Sequence, residues 1–213
     1  MDLMRVKICG LKSVEVVEAA ARAGAAYIGL THVEKSPRYV TLTAAKTLAE
    51  AAPEGLCKVM LLVDPSDTLL DQVMADVPID MIQLHGGETP ERVSEIKTKM
   101  GLPVMKAVGI ADESDLPKIA EYSYVADQIL VDAKPPKGSE ITGGNGITFD
   151  WRLIAGRRWA VPWMLAGGLM PENVAEAVRL TGANQVDVSS GVESAPGVKD
   201  PGLIADFVTA AEG

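Results

Sequence analysis

A thiol and a carboxyl, Cys9 and Asp132, stand at the ends of two short apolar runs, Arg5–Cys9 and Gln128–Val131. Brought face to face, such a pair can run acid–base chemistry, one group taking a proton from carbon while the other gives one to oxygen. A cysteine needs help for this, since its ordinary pKa is about 8.5. Lys7, two residues earlier on the same strand face and roughly 7 Å away, could supply favourable positive charge. The plainer alternatives are a cysteine that is only a small buried hydrophobe and an aspartate that only caps a loop or helix.

Other groups sit where a reaction would need them. Gln83 and His85 close the run Met81–Leu84. Arg38 follows a proline in Ser36-Pro37-Arg38-Tyr39 and could grip a carboxylate through two parallel hydrogen bonds, or simply be a solvated surface arginine. Two turns, around Gly167-Gly168 and Ser189-Ser190-Gly191, let backbone N–H groups approach an anion such as a phosphate. A third cluster, Gly143-Gly144-Asn145-Gly146, lies in a long loop after Asp132 and reads as a lid or as a plain flexible loop.

The elements that must position these groups follow from a repeating pattern. Apolar, β-branched runs recur at Arg5–Cys9, Ala26–Leu30, Lys58–Val63, Met81–Leu84, Val104–Val108, Gln128–Val131, Trp163–Ala166 and Gln185–Val188, each followed by a segment with helical spacing. Thr89-Pro90, Met170-Pro171 and Asp200-Pro201 place proline where a first helical turn tolerates it. Asp200 and Thr89 are N-cap candidates, while Gly24 and Gly182 suit the left-handed position after a helix. Eight strand–helix units predict parallel strands joined by crossovers. The count favours an α/β fold with a single-domain (β/α)8 TIM barrel over residues 1–213, the alternative being an open doubly wound sheet. In such a barrel, chemistry lies at the C-terminal ends of the strands, and the loops after strands seven and eight bind phosphate. Alternation turns Lys7 and Cys9 toward the barrel axis, and Asp132 likewise, with Val6, Ile8, Ile129 and Val131 facing the helices.

Composition limits the partners. Of 213 residues, 47% are hydrophobic, enough for one substantial core. The formal charge of -9 argues against nucleic acid and against an anionic membrane surface, which need clustered Lys and Arg. A small anionic ligand needs only a few local donors. The two cysteines, Cys9 and Cys57, suggest neither a disulfide framework nor a metal site. No run approaches the ~18 apolar residues of a membrane span, and the opening residues lack a signal pattern. A soluble protein of the cytoplasm is the expectation.

The ordered set Lys7-Ile8-Cys9-Gly10, Ser36-Pro37-Arg38, Gln83-Leu84-His85-Gly86, Val131-Asp132-Ala133-Lys134, Gly143-Gly144-Asn145-Gly146, Ala166-Gly167-Gly168-Leu169 and Asp187-Val188-Ser189-Ser190-Gly191-Val192-Glu193 closely resembles the phosphoribosylanthranilate isomerases of tryptophan biosynthesis. The resemblance runs on to Pro196-Gly197-Val198-Lys199-Asp200 and so spans nearly the whole chain. It implies a cysteine general base at Cys9 and an aspartate general acid at Asp132. It implies an anthranilate-carboxylate site at Arg38 and phosphate turns at Gly167, Gly168, Ser189, Ser190 and Gly191. Lys7, Gln83, His85 and Gly144 would support these, His85 as a structural or positioning group. The implied reaction is an Amadori rearrangement of N-(5-phosphoribosyl)anthranilate, with no metal or organic cofactor and a sugar phosphate as the partner. Both a monomeric and a homodimeric barrel are physically reasonable.

The chain departs from the common family pattern at Leu30-Thr31-His32 and Val63-Asp64, which bears on the shape of the mouth. His32 reads as a loop histidine. Two rival readings have distinct signatures. Indole-glycerol-phosphate synthase or a histidine-pathway sugar isomerase would share the phosphate turns but rely on lysine and carboxylates, or on two aspartates, rather than on Cys9. A catalytically silent barrel that only binds would have no need of both Cys9 and Asp132.

Overall fold

The computed structural model describes residues 3–134, 146 and 148–213. Eight parallel strands close into a barrel in chain order: β1 Arg5–Cys9, β2 Tyr27–Thr31, β3 Cys57–Leu62, β4 Met81–Leu84, β5 Val104–Ile110, β6 Gln128–Ala133, β7 Trp163–Leu165 and β8 Gln185–Val188. The closing pair is β1 with β8, in the register Lys7↔Asp187 and Ile8↔Val188. Outside the barrel run α1 Val14–Arg22, α2 Leu42–Ala51, α3 Asp67–Asp76, α4 Pro90–Met100, α5 Leu116–Tyr122, α6 Val174–Thr181 and α7 Pro201–Glu212. A short antiparallel ribbon, β9 Glu193–Ala195 with β10 Val198–Lys199, follows β8. Among the described residues, no helix is long and apolar enough to cross a membrane.

Alternation along the strands splits the core into two layers. Tyr27, Val59, Met81, Met105, Ala107, Leu130, Met164 and Ala166 fill the barrel. Val6, Ile8, Ile28, Met60, Ile82, Val108, Ile129, Val131 and Val186 face the helices. Lys7 and Cys9 therefore share the inner face with Leu130 and Asp132, as the pattern predicts.

The expected helix punctuation holds at most places. The Thr89 hydroxyl accepts from the Arg92 N–H with Pro90 at the first turn, and Asp200 accepts from Gly202 and Leu203. Gly182 closes α6 at φ 73°, and Gly24 follows α1 at φ 92°. Two places differ. Pro171 lies in a turn ahead of α6, which starts at Val174, because Asn173 holds that turn through Met170 N–H and the Gly168 carbonyl. Among the described residues, the β6–β7 crossover carries a single 3-10 turn, Trp151–Ile154, where a full helix is expected. Asp150 opens that turn, and Gly156 at φ 69° then turns the chain away before a second turn can form.

Candidate active site

Cys9 and Asp132 end β1 and β6 and are both buried at the C-terminal mouth of the barrel. Room for the thiol comes from β2, where Gly29 pairs in register with Cys9. A Cβ at Gly29 would stand 2.5 Å from Cys9 Sγ and 3.0 Å from its Cα. Glycine within a strand often marks such a close approach, the one sign of Gly29 visible in the sequence.

Beneath the thiol, Lys7 Nζ donates to Asp187 Oδ1 at 2.8 Å. Burial opposes the charge on Lys7, but Asp187 and Cys9 outweigh it and raise the lysine above its ordinary value. Burial pushes the Cys9 thiol up, Lys7 pulls it down, and Asp187 adds to the rise, so the net shift is upward. The favourable charge expected from Lys7 is present, shared with Asp187 and outweighed by desolvation.

Asp132 is held from two sides. Its Oδ1 accepts from the Ala133 N–H at 2.8 Å, and its Oδ2 lies 3.3 Å from His85 Nε2. Gln83 Nε2 lies 3.0 Å from His85 Nδ1, so Gln83, His85 and Asp132 form one chain of contacts. His85 sits on a braced loop. Glu88 accepts from the Asp64 and Gly86 N–H groups and pairs with buried Lys106 at 2.8 Å, while Asp64, at φ 45°, accepts from Gly87.

The two glycine turns lie side by side. Gly167, at φ 88°, passes so near β6 that a Cβ there would be 2.6 Å from Ala133 N and 3.1 Å from Asp132 Oδ1. Gly168 is also left-handed, at φ 63°. A Cβ at Gly191, in the 3-10 turn Ser190–Val192 after β8, would overlap the Leu169 carbonyl. Ser189 ties this turn to the thiol strand, its hydroxyl donating to the Cys9 carbonyl at 3.0 Å.

Arg38 is buried, with a two-point grip on the chain's own Glu193, 2.8 Å from Nε and 2.9 Å from Nη2. Lys199 Nζ also donates to Glu193 and to the Ser189 carbonyl. Burial would raise the Glu193 carboxyl, but Arg38 and Lys199 outweigh it and hold it low. Burial lowers Lys199, although Glu193 opposes the shift. Sequence reasoning missed the structural parts of Asp187, Glu193 and Lys199. Alternation with Gln185 could have brought Asp187 to Lys7, whereas nothing local links Arg38 to residues 155 or more positions away. Gly143, Gly144 and Asn145 of the expected lid lie outside the described residues, and a Cβ added at Gly146 would stand 3.7 Å from Ser190 Oγ. His32 contacts the Val40 carbonyl through Nδ1 and packs against the Tyr39 ring.

A closed (β/α)8 barrel with a thiol, a carboxyl and paired glycine turns at its C-terminal mouth defines the class, a sugar-phosphate barrel enzyme. A family profile described as N-(5'phosphoribosyl)anthranilate (PRA) isomerase matches residues 6–210. The chain belongs to that family. It is 65% identical over 208 residues to the N-(5'-phosphoribosyl)anthranilate isomerase of Cereibacter sphaeroides, covering 98% of each chain. The crystal structure of phosphoribosyl anthranilate isomerase from Thermotoga maritima superposes with a TM-score of 0.87 at 34% identity, covering 99% of this chain and 100% of that one. A second solved isomerase, in complex with reduced 1-(O-carboxyphenylamino)-1-deoxyribulose 5-phosphate, gives a TM-score of 0.85 at 32% identity, covering 99% of this chain and 100% of that one.

Proposed function

We propose that Cys9 and Asp132 carry out the family's reaction, the isomerisation of N-(5-phosphoribosyl)anthranilate in tryptophan biosynthesis, by general base and general acid catalysis. The observation that carries this reading is the pair of inward-facing groups at the ends of β1 and β6, beside the glycine turns after β7 and β8. Asp132 gives its proton to the ribose ring oxygen as the C1′–O bond breaks, and the anilino nitrogen's lone pair forms the C1′=N bond. The Cys9 thiolate then takes the C2′ proton. The released electron pair forms C1′=C2′ and neutralises the nitrogen, giving an enolamine. A proton added at C1′ and one lost from the 2′ hydroxyl yield the ketone, so product and substrate are isomers.

The N–H groups around Gly167, Gly168, Ser189, Ser190 and Gly191 would hold the phosphate. Arg38, oriented by Glu193, would offer its charge to the anthranilate carboxylate. Lys7 would temper the desolvation of Cys9, while Gln83 and His85 would support Asp132. Gly144, outside the described residues, belongs to the proposed lid. Either a monomer or a homodimer is the proposed state. A free thiol base suits a reducing compartment, and the cytoplasm is the proposed location.

Purified protein should consume the fluorescence of phosphoribosylanthranilate. Cys9→Ala and Asp132→Asn should each lower kcat by about 10²–10⁴-fold, the usual contribution of general acid–base catalysis. Full turnover in either variant would remove that residue's role, and an inactive wild type would favour a silent barrel.

A further inference from the structure

Gln83 presents an unresolved account. It is fully buried, its amide nitrogen faces His85 Nδ1, and its Oε1 has no hydrogen-bond partner among the described residues. A buried amide oxygen left unpaired costs free energy. Among the described residues, no hydrogen bond on the far side of the amide therefore holds it in one of its two isosteric orientations.

The orientation matters because of what lies beyond the imidazole. With Gln83 Nε2 donating, His85 Nδ1 keeps its lone pair and Nε2–H points at Asp132 Oδ2, an arrangement that suits a carboxylate. With the amide turned, Oε1 accepts from Nδ1–H, and the Nε2 lone pair accepts from a protonated carboxyl. Ala133 N–H occupies Oδ1, so the acid proton belongs on Oδ2, facing His85. The other charged groups of this loop are engaged: Asp64 with Gly87 N–H, and Glu88 with Lys106 and the Asp64 and Gly86 N–H groups.

We infer that Gln83 and His85 are positioning residues forming a two-state support for Asp132, in which amide orientation and imidazole tautomer change together as the aspartate loses and regains its proton. The inference rests on Asp132 being the acid, as proposed above. It goes further by giving Gln83 and His85 a role in the proton cycle rather than in packing. No proton leaves the site through them; each state only exchanges which partner donates.

The chain has two histidines, so nitrogen-15 labelling of histidine and a His32→Asn variant assign the ring signals of His85 outright. Wild-type protein should show the Nε2–H tautomer. In Asp132→Asn the amide oxygen must take the Ala133 N–H, leaving its NH₂ facing His85, and the ring should invert to Nδ1–H. Gln83→Leu should give averaged tautomers and lower kcat by about tenfold with KM little changed. The same tautomer in wild type and Asp132→Asn overturns the inference. So does an unaltered ring spectrum in Gln83→Leu. These spectra need no turnover, so an inactive wild type would sink the isomerase reading without touching them.

Discussion

At the scale of single residues, the site depends on small side chains as much as on reactive ones. Gly29 is the clearest case, because its missing Cβ is the space in which Cys9 Sγ lies. Gly29→Ala should displace the thiol, costing about 1–3 kcal/mol as overpacking. Misplacing a catalytic group by about 1 Å costs on the order of 10²-fold in rate. Urea unfolding and steady-state kinetics check both, and unchanged kcat would show that the thiol has slack. The thiol's own titration sets a pH dependence. Burial raises Cys9 against the pull of Lys7, and in its proposed role as base it would work only when deprotonated. The profile of kcat/KM should therefore still be rising above the ordinary thiol range near pH 8.5. Lys7→Met removes the largest lowering influence and should shift that rise to still higher pH. An unmoved midpoint would deny Lys7 its supporting part.

At the scale of elements, the loop after β4 is the device that holds His85 in place. Its carboxylate anchor, Glu88, accepts two backbone N–H groups and pairs with buried Lys106. Removing one member of a buried pair strands the other, so Glu88→Ala should cost about 3–5 kcal/mol, measured by urea unfolding. A loss below about 1 kcal/mol would mean that the Gly86 and Leu84 carbonyls, to which Lys106 also donates, suffice for its charge. All eight strands were legible within a residue or two, because apolar runs bounded by turns are a local signal. Cys9 and Asp132 were legible for the same reason, since alternation alone fixes which way each points. The β6–β7 crossover was not, because the run after Asp150 resembles a helix start until Gly156 cuts it short. The Arg38–Glu193 pair and the Lys106–Glu88 pair were equally hidden. The first depends on barrel closure and the second on the pairing of β4 with β5, neither of which a local pattern encodes.

At the scale of the whole molecule, the mouth joins the first strand to the last turns of the chain, and ligand binding should register in global stability. Ser189 donates to the Cys9 carbonyl, Lys7 pairs with Asp187 across the closing strands, and Arg38 meets Glu193. A product-like ligand seated on the phosphate turns and beside Arg38 would bind only the closed barrel. At a hundred times its Kd, such a ligand stabilises the folded state by about 2.7 kcal/mol. For a chain of 150–250 residues each kcal/mol raises Tm by about 2–4 °C. Reduced 1-(2-carboxyphenylamino)-1-deoxyribulose 5-phosphate should therefore raise Tm by about 5–10 °C in calorimetry. Inorganic phosphate should give a smaller rise, because on the proposed assignment it would engage the turns alone. Arg38→Met should reduce the larger shift toward the smaller one while leaving the phosphate response in place. Equal shifts with both ligands, in wild type and variant alike, would mean that the carboxylate end of the ligand meets nothing at Arg38, and the assignment of that residue would fall.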